Sequence, residues 1–253
     1  MTVTGLLWLI IASFGTGAVN AVAGGGTLIS FPALVALGLS PVAANATNTI
    51  ALVPGSLASA WAYRHDLRTH RHLMRRFLLP SIVGGLLGAT LVLSAPERVF
   101  ELVVPWLVLG ATLLILMKNR LWQRLKAKPS EGHSKGIGAS IAILLMAIYG
   151  GYFGAGIGII TLAVLSLTAD LHIHEMNGIK TLIASTVNGT AAVFFLARGT
   201  ADVKTAAIMS IGMILGGYFG AKVARKTPAK LVERLVVGIG FAMTLVLAAR
   251  WFK

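Results

Sequence analysis

The sequence predicts an all-α, polytopic membrane protein made of two inverted repeats, each with about five apolar segments and one glycine-broken hairpin. Three observations support this fold class. Of the 253 residues, 56% are apolar and only 12% are charged, whereas soluble domains carry roughly 25% charged residues. Apolar runs close to the length of about 20 residues that spans a bilayer recur along the whole chain. The third observation is an internal duplication.

The duplication becomes visible when residues 132 positions apart are compared. The matched pairs include Gly24 and Gly156, Gly26 and Gly158, Asn45 and Asn177, Thr49 and Thr181, Gly84 and Gly216, Gly88 and Gly220, and Pro96 and Pro228. One register is held without a gap over about 100 residues, which indicates a repeat and not chance identities between glycines. The sequence therefore predicts a first transmembrane repeat at 1–117, a basic cytoplasmic linker at 118–135 and a second transmembrane repeat at 136–253.

The apolar segments follow the same order in both repeats. The first repeat has segments at about 4–23, 27–38, 43–63, 75–94 and 97–117, and the second at about 137–154, 159–169, 174–197, 203–222 and 229–250. In each repeat a glycine break joins the first segment to the second, which is too short to span a bilayer untilted. Paired short, glycine-interrupted segments at matching positions indicate a transporter's binding site.

The net charge of +14 is concentrated where cytoplasmic loops of a membrane protein carry it. Sixteen of the 22 Lys and Arg residues lie in 64–76, 118–135 and 222–234, so we expect these three segments on the cytoplasmic side. Aromatic residues do not alternate with the basic ones, which argues against a nucleic-acid partner.

The connections at 94–98 and 198–204 carry little charge bias and are expected outside. Equivalent connections then lie on opposite sides, which predicts inverted repeats of three spans plus a returning hairpin; an eight-span parallel arrangement is the alternative.

The glycine breaks are the first candidate for a substrate site. A helix that restarts after Gly26 or Gly158 would aim unpaired N–H groups and a positive dipole end at whatever precedes it, which favours an anion. The alternative is a purely structural kink. By contrast, Gly84-x-x-x-Gly88 and Gly216-x-x-x-Gly220 are typical of close helix packing.

The third segments supply the second candidate. Asn45, Asn48 and Thr49 share one helix face, and Asn177, Lys180 and Thr181 repeat that face. Polar groups inside a membrane either join helices or bind a substrate. An intramembrane lysine favours function, although Lys180 could instead extend to the cytoplasmic surface. The predicted substrate-binding residues are Asn20, Gly24, Gly25, Gly26, Thr27, Asn45, Asn48, Thr49, Gly156, Gly158, Asn177, Lys180, Thr181 and Asn188.

Other kinds of chemistry have little support in the sequence. His65, His70 and His72 lie among five arginines that repel a cation, so we do not predict a metal site there. The chain has no cysteine and no P-loop or hydrolase motif. We therefore predict no cofactor, no metal and no catalytic residue.

The breaks resemble those of a known family. Gly24-Gly25-Gly26 followed by Pro32, the echo Gly154-Ala155-Gly156-Ile157-Gly158 and the duplicated Gly-Gly-x-x-Gly-Ala resemble the TauE/SafE sulfite exporter family over nearly the whole chain. The second repeat departs from the pattern, because Ile157 replaces the middle glycine and Val164 stands opposite Pro32. The resemblance implies a multi-pass transporter of the bacterial inner membrane for organic or inorganic anions such as sulfite, sulfoacetate or thiosulfate.

The expected function is secondary transport of such an anion by alternating access, with the substrate between the two breaks. A passive anion channel and an integral-membrane enzyme are the alternatives. The expected partners are a small anionic substrate and the lipid bilayer. The coupling ion, proton or sodium, and the oligomeric state stay open.

Overall fold

The protein is an all-α bundle, seen here in a computed structural model that describes residues 3–22, 24–67, 70–126, 137–168, 171–223 and 229–249. These residues form eleven α-helices and no strand. The helices are α1 (Val3–Val22), α2 (Thr27–Ala36), α3 (Pro41–Ala62), α4 (Arg64–Leu67), α5 (Arg71–Ser94), α6 (Glu97–Lys126), α7 (Ile137–Tyr152), α8 (Ile157–Thr168), α9 (Ile173–Ala197), α10 (Val203–Val223) and α11 (Ala229–Ala249). The predicted all-α class is confirmed.

The duplication extends to the helix boundaries. The starts of α3 and α9, of α5 and α10, and of α6 and α11 all lie 132 positions apart. The local signals differ between equivalent starts. Ser40 caps α3 through its hydroxyl, which accepts from the N–H of Ala43, and Pro41 fits the first turn. At α9 the carboxylate of Glu175 accepts from the N–H of His172 instead.

The two repeats are interlocked, because the first helix of each repeat packs against the helix that forms the fourth apolar segment of the other repeat. α1 packs against α10, and its counterpart α7 packs against α5. Glycines allow the backbones to touch: a Cβ atom on Gly220 would lie 2.6 Å from the Cα of Ala18, and one on Gly84 would lie 2.7 Å from the oxygen of Leu144. The prediction of close helix packing at these glycine pairs is confirmed.

The equivalent helices α3 and α9 pack in opposite directions. Gly178 near the start of α9 faces Tyr63 and Leu67 just after α3. At the other end, the hydroxyl of Thr47 accepts from the N–H of Asp202, just after α9, at 2.9 Å. The connection that follows α3 and the equivalent connection that follows α9 therefore lie at opposite ends of this helix pair.

The surface and the interior have the polarity of a membrane protein. Trp8, Trp61 and Trp106 are more than half exposed, whereas Asn45, Thr47 and Asn48 are buried. Among the described residues, four helices are long and apolar enough to cross a bilayer: Arg71–Ser94, Glu97–Met117, Ile173–Ala197 and Val203–Lys222. A large apolar outer surface on such helices fits a lipid environment.

Helix α6 extends beyond the apolar segment that the sequence predicts. That segment ends at residue 117, as does the candidate span Glu97–Met117, but α6 continues to Lys126. A helix does not stop where hydropathy falls if good helix formers follow, and Arg, Leu, Gln and Lys are such residues. The rest of the predicted linker lies outside the described residues, as does 224–228.

Candidate functional site

Both glycine breaks contain a left-handed glycine at the same repeat position, and the second break has a further one at Gly154, with φ +74°. Gly24 and its equivalent Gly156 have φ values of +72° and +76°. Side chains with a Cβ atom rarely adopt this left-handed conformation, so both positions favour glycine. The N–H of Gly24 donates back to the oxygen of Val19 at 3.0 Å and closes the end of α1. The chain then reverses and starts α2.

The breaks contact each other at the centre of the molecule. A Cβ atom on Gly24 would lie 2.6 Å from the Cα of Gly158, and one on Gly158 would lie 2.8 Å from the Cα of Gly24. Gly25 differs from its neighbours, because its added Cβ atom would meet only the flexible end of the Ile115 side chain, at 2.6 Å. The approach of the two repeats thus depends on Gly24 and Gly158 and not on the glycine run as a whole.

The N–H groups at the first break are not free. The side-chain oxygen of Asn20 accepts from the N–H of Gly25 at 3.1 Å and from that of Gly26 at 2.9 Å. The N–H groups of Gly25 and Gly26, which precede α2, are therefore paired with the end of α1. The prediction that helices restarting after Gly26 and Gly158 direct N–H groups towards an anion stays a prediction. Tyr152 stands at the equivalent position of the second repeat and has no amide oxygen with which to form such a cap.

A small cavity lies between the breaks and the facing helices α3 and α9. Its volume is about 20 Å³, which is on the scale of one water molecule. Seven predicted residues line it: Asn20, Gly24, Thr27, Gly158, Lys180, Thr181 and Asn188. The other lining residues are Leu52, Ser56, Ser59, Gly154, Ile157 and Ala184.

Lys180 is buried, with 1% of its surface exposed, so the alternative in which it extends to the cytoplasmic surface is wrong. Its Nζ donates to the oxygens of Asn20 and Ala21, each at 3.3 Å, and to Oδ1 of Asn177 at 3.0 Å. The first two are carbonyls at the end of α1, where a helix leaves oxygens without intrahelical partners. Lys180 therefore joins α9 of the second repeat to α1 of the first.

The reverse connection exists and is neutral. Nδ2 of Asn45 on α3 donates to the oxygen of Tyr152 at the end of α7, at 2.9 Å. Tyr152 is the equivalent of Asn20, so each repeat's third segment binds the carbonyl that ends the first helix of the other repeat. Asn48, the equivalent of Lys180, instead accepts a hydrogen bond from the hydroxyl of Ser30.

The remaining predicted residues do not line the cavity. The hydroxyl of Thr49 donates to the oxygen of Asn45 in its own helix at 2.8 Å. Gly156 faces Ala111 of α6. The set outside the cavity consists of Gly25, Gly26, Asn45, Asn48, Thr49, Gly156 and Asn177. Asn177 is linked to the cavity indirectly, because its Oδ1 accepts from Nζ of Lys180, which lines it.

Three polar side chains in the cavity have no hydrogen-bond partner within the described part of the chain. They belong to Thr27, Ser56 and Asn188, and each is more than nine-tenths buried. The sequence analysis missed Ser56. The signal that could have found it is the duplication, because Ser56 is the equivalent of Asn188.

Comparison with known proteins identifies the family. A family model described as sulfite exporter TauE/SafE matches residues 9–247, nearly the whole chain. The chain belongs to the sulfite exporter TauE/SafE family. The resemblance seen in the glycine breaks is thereby confirmed.

Relatives of this TauE/SafE protein carry general names. It is 28% identical to a "Probable membrane transporter protein" of Haemophilus influenzae, covering 96% of this chain and 93% of that protein. It is 27% identical to the "Probable membrane transporter protein ORF9" of Sinorhizobium sp, over 96% and 92% of the two chains. It is 25% identical to the "Probable membrane transporter protein YfcA" of Escherichia coli strain K12, over 90% and 84%. No solved structure matches this TauE/SafE chain.

Proposed function

We propose that this protein is a secondary transporter that moves a small, sulfur-containing anion across the bacterial cytoplasmic membrane by alternating access. The observation that carries the proposal is the cavity between the two glycine breaks. There, polar side chains from both repeats that have no hydrogen-bond partner among the described residues lie beside the buried Lys180. Family membership and the names of the relatives support a membrane transporter.

The chemistry of the cavity suits an oxyanion. The hydroxyls of Thr27 and Ser56 and the amide of Asn188 can each donate a hydrogen bond. α2 and α8 both start at the breaks, so their positive dipole ends add to the charge of Lys180. An anion with several oxygens could accept from all three side chains, and hydrogen bonds to a charged group are stronger than neutral ones.

The size of the cavity supports alternating access over an open pore. A volume of about 20 Å³ has room for roughly one water molecule, so a tetrahedral or pyramidal oxyanion needs the walls to separate. The walls come from both repeats, and a movement of one repeat against the other would open the cavity without breaking either hairpin. A passive channel needs a continuous path instead.

The membrane arrangement that we propose is inverted. The connection after α3 and its equivalent after α9 lie at opposite ends of the α3–α9 pair. Ala21, Tyr63 and Ala221, at the ends of α1, α3 and α10, cluster together. The C-terminal ends of α3 and α10 therefore lie at one end of the bundle. Because basic stretches of the sequence follow both helices, we assign this end to the cytoplasm.

The test is transport by purified protein in proteoliposomes. We expect saturable uptake of at least one anion from a panel of sulfite, thiosulfate, sulfoacetate, sulfate and short carboxylates, with competition among those that bind. Non-saturable flux accompanied by ionic conductance would favour the channel. Correctly folded protein that moves none of the panel would overturn the proposed substrate class.

A further inference from the structure

The ammonium group of Lys180 sits in a set of oxygens that resembles the ligands of a metal cation. Its Nζ is 3.3 Å from the backbone oxygens of Asn20 and Ala21 and 3.0 Å from Oδ1 of Asn177. Carbonyl and amide oxygens are the ligands that hard cations take from proteins. The two backbone oxygens also carry the partial negative charge of a helix C-terminus, which attracts a cation.

We infer that Lys180 occupies a monovalent-cation site at the end of α1 and serves there as a cation that is covalently attached to α9. In the native protein the site is filled by the side chain itself. Transport therefore requires no sodium or potassium ion at this place, and removal of the side chain leaves a site that a free monovalent cation can enter.

The position of the side chain fixes its role. An ammonium group has three N–H donors, and at least three oxygens already accept from Nζ. The aliphatic part crosses the contact between the breaks, since a Cβ atom on Gly158 would lie 3.2 Å from Cδ of Lys180. A substrate anion can gain a hydrogen bond from Lys180 only if Nζ gives up one of these bonds, either to α1 or to Asn177 of α9. Where the bond given up is one to α1, anion binding would weaken the link between α1 and α9.

The other repeat shows that a neutral residue is compatible with the fold at this position. Asn48 is the equivalent of Lys180, and the end of α7 is bound by the neutral amide of Asn45. The charge is therefore a property of one repeat only. Lys180→Asn reproduces the residue of the other repeat and is the variant most compatible with folding, while Lys180→Ala leaves the most space.

The experiment measures thermal stability of the purified full chain in detergent, with choline chloride replaced in turn by LiCl, NaCl, KCl or NH₄Cl at equal ionic strength. An ion that binds only the folded state raises Tm. For Lys180→Ala we expect at least one of these ions to raise Tm by roughly 3–5 °C over choline. The spacing of 3.0–3.3 Å around Nζ favours NH₄⁺ and K⁺ over Li⁺. Native protein and the control Lys204→Ala, which removes an exposed lysine, should show no such preference.

A Lys180→Ala protein with the same Tm in all five salts would overturn the inference, and so would an equal response of native protein. If Lys180→Ala does not fold, Lys180→Asn is measured in its place. If neither variant folds in any of the salts, no free cation replaces the ammonium group, and that result would also contradict the inference. These measurements need no substrate. A cation effect without transport of any anion by native protein would therefore refute the proposed function and leave the site intact.

Discussion

At the scale of single residues, the three consecutive glycines of the first break are not equivalent. Gly24 has φ +72° and packs on the Cα of Gly158, whereas Gly25 has no positive φ and faces a flexible side chain. We expect Gly24→Ala to lower stability by about 1–2 kcal/mol from the left-handed backbone alone, with more from the clash. Gly25→Ala should keep most of its stability and transport. Thermal unfolding and anion uptake of the two variants check this, and equal losses in both would contradict it.

The glycine run also shows how far sequence reasoning reaches at this scale. The sequence predicted the break, because consecutive glycines destabilise a helix. Sequence reasoning could not predict which glycines are required, because that depends on tertiary contacts: Gly24 packs on Gly158 of α8, and Gly26 packs on the backbone oxygen of Thr16 in α1. The same limit applies to Asn20. It lines the cavity, as the sequence predicts, but its second role, accepting from the N–H groups of Gly25 and Gly26, depends on how the chain folds back after α1.

A second prediction concerns the cavity side chains that have no hydrogen-bond partner among the described residues. Ser56→Ala and Asn188→Ala each remove one donor from the proposed substrate. A hydrogen bond to a charged group contributes about 1.5–3 kcal/mol, so the apparent affinity for the transported anion should fall roughly tenfold to a hundredfold. The matched control is Thr49→Ala, because its buried hydroxyl bonds within its own helix and does not line the cavity. Concentration-dependent uptake measures the affinity. A loss for Thr49→Ala as large as for Asn188→Ala would remove the cavity from consideration as the binding site.

At the scale of the helices, Asp202 lies in the connection between α9 and α10 and joins it by hydrogen bonds to α3 and α10. It precedes α10, where its Oδ1 accepts from the N–H of Thr205 at 3.1 Å and its Oδ2 accepts from the hydroxyl of Thr205 at 2.8 Å. Its own N–H donates to Thr47 of α3. The side-chain and backbone hydrogen bonds from Thr205 lower the pKa of Asp202. A lowered pKa stabilises the fold above the unfolded value of about 3.9 and ceases to do so as pH falls through the folded value.

We therefore expect Asp202→Ala to destabilise the protein by about 1 kcal/mol at pH 7, as loss of an N-cap does. Asp202→Asn retains an acceptor for the N–H of Thr205 and should lose less. The difference between native protein and Asp202→Ala should shrink as pH falls below about 3.9. Unfolding in detergent across pH 3–7 measures it, and a difference that stays constant down to the lowest pH would show that the carboxylate charge plays no part.

The helices themselves were largely predictable, because apolar length and the duplication set their limits. The starts of α5, α6, α10 and α11 fall within four residues of the apolar segments read from the sequence. The short helix α4 and the extension of α6 were not predicted, because neither is apolar. The bridging role of Lys180 was not predictable either, since it requires the end of α1 to lie beside α9, a contact between residues about 160 positions apart.

At the scale of the whole molecule, the arrangement of the repeats explains why the site is shared. α1 packs on α10 and α7 on α5, so neither repeat encloses its own first helix. Each break is held by the other repeat, through Lys180 in one direction and Asn45 in the other. A movement between the repeats must therefore change both links at once, which couples the cavity to the orientation of the two halves.

The inverted arrangement can be tested at two equivalent positions. His72 and Lys204 are 132 residues apart, each is exposed in the first turn of its helix, and the chain has no cysteine of its own. Single-cysteine variants His72→Cys and Lys204→Cys should therefore react without background. We assign the basic segment around His72 to the cytoplasmic side, so a membrane-impermeant maleimide added to intact cells should label Lys204→Cys and leave His72→Cys unlabelled until the membrane is opened. A membrane-permeant maleimide is the control and should label both.

Parallel repeats would place the two cysteines on the same side of the membrane. Equal labelling of both by the impermeant reagent, or protection of both, would therefore rule out the inverted arrangement. It would also rule out a site shared between opposed repeats.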